Sequence, residues 1–152
     1  MNILWSISHI ILILAAIGGF FIALYIHHTK RRGENVVCPL DFKCDQVIRS
    51  KYSKLFGINV ENWGIAYYSF TALSYIIFLA FPAILNLKFV LITLILSMIA
   101  FIFSIYLTFI QAFKLREWCT WCLISASFCT IIFLSAWLGS DYSLGDIAGY
   151  IK

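Results

Sequence analysis

The stretch Phe89–Phe113, "FVLITLILSMIAFIFSIYLTFIQAF", contains no Asp, Glu, Lys or Arg. A bilayer's hydrocarbon core is crossed by about 20 consecutive apolar residues. With no water to satisfy its backbone, such a span is a helix. Three further windows, 1–29, 62–87 and 118–140, are equally free of charge. The 152-residue chain is 62% hydrophobic and only 12% charged, where a soluble domain is about a quarter charged. The sequence therefore predicts an all-α integral membrane protein. It is a four-transmembrane-helix bundle, with spans at about 3–26, 64–86, 89–111 and 120–139. Residues 1–152 form one membrane domain surrounded by lipid, with no nucleic acid as partner.

No basic residue precedes the first apolar run, and that run exceeds a signal peptide's core. It is read as a retained helix. Four spans put both termini on one side and the connections 27–63 and 112–119 on the other. The turn at 82–88 makes spans two and three an antiparallel hairpin.

This topology gathers four of the five cysteines at one end. Cys38 and Cys44 lie in the cysteine-bearing loop 27–63, and Cys119 and Cys122 at the start of the fourth span. Cys119 and Cys122, at i and i+3, share one helix face. At a helix N-terminus the backbone N–H groups and dipole stabilise a thiolate. A mobile pair above a fixed pair suits thiol–disulfide exchange, in which a thiolate reaches a disulfide sulfur. Two other readings remain open at this point: a structural Cys38–Cys44 bridge, and a small metal-binding or metal-transporting protein using the four thiols. The deeper Cys129 reads as a small buried hydrophobe.

In the segment 44–57, "CDQVIRSKYSKLFG", Val47, Ile48, Tyr52, Leu55 and Phe56 recur at helical spacing opposite a basic face. This predicts a short interfacial helix, ended by Gly57, that caps the bundle on the cysteine side. Trp63, Tyr67 and Tyr68 fall where an aromatic belt is expected. At most one of the two tyrosines faces the interior squarely, and such rings would serve a planar ligand near Cys122. His9, within the first span, reads as structural, and His27 and His28 as interfacial.

Taken in order, Cys38, the run Cys44-Asp45-Gln46-Val47-Ile48-Arg49-Ser50, Phe56-Gly57, Gly64 and Cys119-Thr120-Trp121-Cys122 resemble the vitamin K epoxide reductase family, in its short prokaryotic form. The resemblance covers about residues 3–139. It implies a membrane thiol oxidase that reduces a quinone, of ubiquinone or menaquinone type, and supports disulfide bond formation. Cys119 and Cys122 look like the catalytic pair, with Cys122 meeting the quinone. Cys38 and Cys44 look like the shuttle pair that draws electrons from a thioredoxin-like partner. Ser50 matches a loop serine near the quinone pocket, and Phe56 and Gly57 match the end of the capping helix. Ser50, Phe56, Tyr67, Tyr68 and Cys122 are thus the expected quinone contacts, with no metal. Eukaryotic members have a tyrosine where this chain has Ala126, and a longer segment before the second span. Many bacterial members carry a fused thioredoxin-like domain, so here the partner is expected to be a separate protein.

Sidedness is pulled two ways. Lys30, Arg31, Arg32, Lys43, Arg49, Lys51, Lys54, Lys114 and Arg116 fall on the cysteine side, against Lys88 and Lys152 on the other. Positive loops favour the cytoplasm, whereas disulfide chemistry usually runs outside it.

Overall fold

A computed structural model describes residues 3–84 and 86–150. Its order is α1 (Ile3–Arg32), α2 (Cys44–Ile48), β1 (Lys54–Leu55), β2 (Ile58–Asn59), α3 (Val60–Ala80), α4 (Leu87–Phe109) and α5 (Thr120–Tyr150). Four of these helices are long and apolar enough to cross a membrane, over Ser6–Arg32, Val60–Ala80, Leu87–Leu115 and Thr120–Gly139. The four expected spans are present, with shifted ends. Helix α1 continues past residue 26 to a basic last turn at Lys30, Arg31 and Arg32, where cations complement the helix dipole. Helix α3 starts at Val60 and stops at Ala80, short of the expected end of the second span, and a 3-10 turn at Pro82–Ile84 follows it.

Helix α1 is the hub. It packs against α3 on one side and α5 on the other, and α5 in turn packs against α4. Small residues permit this. Ala15, Ala16 and Ala23 are buried at the centre, and a Cβ on Gly64 would meet Ala23 at 3.4 Å. In lipid, helices associate by such close packing because water supplies no drive. A Cβ on Gly19 would overlap the Tyr68 ring. That ring, 1% exposed, is among the most deeply buried side chains.

The expected hairpin of spans two and three is only half closed. Near the turn, Phe78 of α3 meets Phe89 of α4 edge-on, with ring centroids 5.7 Å apart. Further along, α3 and α4 lose the close backbone packing that the other neighbouring helices keep. Toward the cysteine end both line a cavity that lies between them.

The cap differs from expectation. The helix at Cys44 ends at Ile48, not at Gly57. A 3-10 turn at Lys51–Ser53 follows, then the β1–β2 hairpin, with Lys54 paired to Asn59 and Leu55 to Ile58. Its two-residue loop is Phe56-Gly57, at φ 53° and 79°. Positive φ at both loop residues is what a tight I′-type hairpin requires. Gly57 therefore turns a hairpin and does not cap a helix. Val47 and Ile48 are buried as expected, but Phe56 stands 89% exposed at the tip.

Candidate functional site

The C-terminal end of α4 widens into a π-helical segment, Ile110–Leu115, and the chain reverses through Arg116 at φ 51°. Single π turns inside α-helices often accompany functional sites. This one presents the buried Gln111 side chain, whose Oε1 accepts the Cys119 backbone N–H at 3.2 Å. That bond takes up one of the orphan donors at the start of α5. Cys119 is fully buried, and Cys122 is half-buried one turn on.

The Cys122 N–H donates to the Cys119 sulfur at 3.3 Å. Cys119, just outside the fourth span, has its thiol held below the usual thiol range. The Cys122 side chain is the main cause, and the Cys122 and Trp121 backbone N–H groups add to it against the opposing effect of burial. The favoured thiolate of the pair is thus Cys119, the one turned away from the cavity described below.

Cys38 and Cys44 form a disulfide with their Cα atoms 5.8 Å apart, while Cys119, Cys122 and Cys129 are free thiols. The loop pair lies against the helix pair: Cys44, Cys119, Val36, Val47 and Ile48 share one buried cluster, with Cys38 and Cys122 packed on it. The expected mobile loop is docked. Trp121 Nε1 donates to the Val37 carbonyl at 2.9 Å, and Lys43 pairs with Glu117 at 2.9 Å. Both ties are at the surface, where ion pairs contribute at most about 1 kcal/mol. With Cys38 and Cys44 joined in a disulfide, the four cysteines are not arranged as a Cys₄ set in this structure. Among the described residues no cluster of three or more His, Cys, Asp or Glu is placed to hold a metal ion.

Beneath the cap, between α3 and α4, lies a cavity of about 430 Å³. Cys122, Ser125, Ala126 and Cys129 line it from α5. Gly64, Tyr67 and Tyr68 line it from α3, and Ala100, Phe103, Leu107 and Gln111 from α4 and its π segment. Ser50, Tyr52 and Phe56 of the cap close its cysteine end. Every expected quinone contact borders this one space. Their settings differ. Tyr68 is the inward tyrosine, its hydroxyl 2.8 Å from Ser125 Oγ and 3.2 Å from Cys129 Sγ. Tyr67 is half-buried, and its hydroxyl, beside Ser97 and Thr71, closes no hydrogen bond. The Ser50 hydroxyl is spent on the Val47 carbonyl at 2.8 Å, and Phe56 sits at the rim.

A quinone headgroup fits what this space offers. The walls are mostly apolar, the volume is in the usual range for small ligands, and the orphaned Tyr67 hydroxyl can donate to a carbonyl oxygen. Cys129 is buried as expected, with the Tyr68 hydroxyl as its partner. His9 packs edge-on against Tyr75, centroids 5.5 Å apart.

Sequence reasoning missed two residues here. Gln111 is a polar residue in a charge-free window, and intramembrane polar groups are functional candidates by default. Glu61 reads as a loop charge, yet its side chain is 5% exposed and pairs with Lys30 at 3.2 Å. Lys30 also donates to the Ile48 carbonyl at 3.1 Å and to Ser53 Oγ at 3.4 Å. This network joins α1, the cap and α3. Breaking such a buried pair by removing one partner typically costs about 3–5 kcal/mol.

Compared with known proteins, residues 10–137 match the model of the vitamin K epoxide reductase family. No curated protein matches the chain.

Proposed function

The chain belongs to the vitamin K epoxide reductase family, a membrane redox enzyme of the quinone and disulfide type, and from that premise we propose that it oxidises a thioredoxin-like dithiol and passes the electrons to a membrane quinone. The single observation that carries this reading is the position of Cys122. It stands with one side toward the loop disulfide's cluster and the other toward the cavity.

The relay runs downhill in solubility, from an aqueous partner to a lipid-borne acceptor. Cys38 is half-buried and Cys44 is 1% exposed, so an outside thiolate reaches Cys38. Attack there reduces the loop disulfide and oxidises the partner. Exchange with a Cys119–Cys122 disulfide then moves both electrons to the helix pair. Cys119, as the favoured thiolate, closes that disulfide again as Cys122 delivers the electron pair into the cavity. Tyr67 orients the quinone oxygen, and the apolar walls exclude water. After the exchange the loop pair is oxidised and the helix pair reduced, which is the stage just before quinone reduction. Which quinone is used is set by the headgroup the cavity admits. The excess of Lys and Arg at the cysteine end favours the cytoplasmic side for it.

The test is quinone-dependent oxidation of a reduced thioredoxin-like protein by the purified enzyme, beside a Cys122→Ala variant. Turnover in the wild type that vanishes in the variant is expected. Equal turnover in both, or none with benzoquinones and naphthoquinones alike, overturns the reading.

A further inference from the structure

Resting on the reading of the cavity as the quinone site, we propose that Glu61 is the carboxylate that moves a proton between the Cys122 thiol and the quinone oxygen. Glu61 is the sole charged side chain among the described residues that line the cavity. It shares that lining with Cys122. Its Oε1 faces Lys30 but closes no hydrogen bond. A buried carboxylate oxygen with unused acceptor capacity is the group a proton can join.

The surroundings leave few other carriers. Lys30 comes from α1 and is engaged by the Ile48 carbonyl, Ser53 and Glu61 itself. Helix α5 offers the thiols of Cys122 and Cys129, the cap offers Tyr52, and α3 offers Tyr67 and Tyr68. The π segment of α4 contributes Gln111, which does not titrate. No other carboxylate lines the space.

The Cys122 S–H bond breaks, and its proton goes to Glu61. The S–S bond between Cys119 and Cys122 forms, and the two electrons the thiol pair gives up reduce the quinone. Glu61 gives its proton to one quinone oxygen. The second proton, released earlier from Cys119, reaches the other oxygen from water at the cysteine end. Two S–H bonds are lost, and one S–S and two O–H bonds are made.

The experiment uses the full chain, chemically reduced and mixed with a short-chain benzoquinone, and reads single-turnover quinone loss over a pH series. Reduction of the Cys38–Cys44 disulfide by dithiothreitol, which does not pass through the cavity, is the control. Glu61→Gln is expected to slow quinone reduction about 100-fold or more, the usual contribution of a positioned acid–base group, and to flatten its pH dependence. Glu61→Asp should recover much of the rate. The double variant Lys30→Gln/Glu61→Gln, which removes both charges, should stay as slow, and it carries the comparison if Glu61→Gln does not assemble. A double variant at the wild-type rate, or Glu61→Gln with an unchanged rate and pH profile, overturns the proposal and leaves the pair structural. A wild type that reduces no quinone removes the underlying reading, and this proposal with it.

Discussion

Cys38 Sγ lies 3.9 Å from the hydroxyl of Thr120, the residue that follows Cys119 and opens α5. The loop disulfide is thus seated over the helix that carries the second thiol pair, and exchange between them needs a local shift only. Cys38→Ser should abolish oxidation of a reduced thioredoxin-like protein. It should leave single-turnover quinone loss by the chemically reduced enzyme, whose electrons already sit on Cys119 and Cys122. Loss of both activities would show that the helix pair cannot work without its cover.

The adjacent tyrosines separate binding from stability. Tyr68→Phe removes a buried hydroxyl that joins α3 to Ser125 and Cys129 of α5. The expected cost is about 1 kcal/mol, the range for such bonds in membrane helices, read as a lower thermal midpoint. Tyr67→Phe removes a hydroxyl with no hydrogen bond to lose. It should leave the midpoint alone and raise the KM for quinone. The reverse pattern would reject the assignment of Tyr67 to the substrate.

Gly19 is required by the ring it faces. Gly19→Ala drives a methyl into the buried Tyr68, and overpacking of this sort costs about 1–3 kcal/mol. A thermal midpoint equal to that of the wild type would mean α1 and α3 can slide apart freely.

The reduced enzyme should gain stability from Cys119 as pH rises. Its thiol is held below the usual range by Cys122 and the α5 backbone. A folded-state value lower than the unfolded one stabilises the fold fully above the ordinary thiol pKa of about 8.5. That stabilisation is lost as pH falls through the lowered value. Thermal midpoints of fully reduced wild type and Cys119→Ser over a pH series should diverge toward alkaline pH. Parallel curves would contradict the depressed value.

At the hairpin tip, Gly57 adopts φ 79° with nothing within 4 Å of a Cβ. Space is not the constraint there; backbone conformation is. Gly57→Ala should cost about 1–2 kcal/mol. Limited proteolysis of the cap should accelerate while the four long helices stay protected.

Much of this was legible in the chain because long charge-free windows have one structural solution in lipid. The spans and the gathering of Cys38, Cys44, Cys119 and Cys122 at one end follow from that alone. The cap was misread because Val47, Ile48, Tyr52, Leu55 and Phe56 mimic a helical stripe. Whether such spacing becomes a helix depends on what the residues pack against, and only Val47 and Ile48 found buried partners. A positive φ at Phe56 leaves no mark in periodicity. Glu61 and Lys30 stayed hidden for a related reason: each looks like an ordinary interfacial charge until α1 and α3 are set side by side. Gln111 could have been singled out by its polarity, but its partner, the Cys119 backbone, depends on the π-helical widening.

The cavity between α3 and α4 has a consequence for which molecules the enzyme can tell apart. A headgroup held beside Cys122 can leave its isoprenoid tail lying out between those two helices, still dissolved among acyl chains. The tail then contributes little to recognition, and quinones differing only in the number of isoprene units should be used alike once they share a bilayer. What limits turnover in that case is the mole fraction of quinone in the membrane plane, so diluting the enzyme's vesicles with plain lipid should slow it while diluting them with buffer should not.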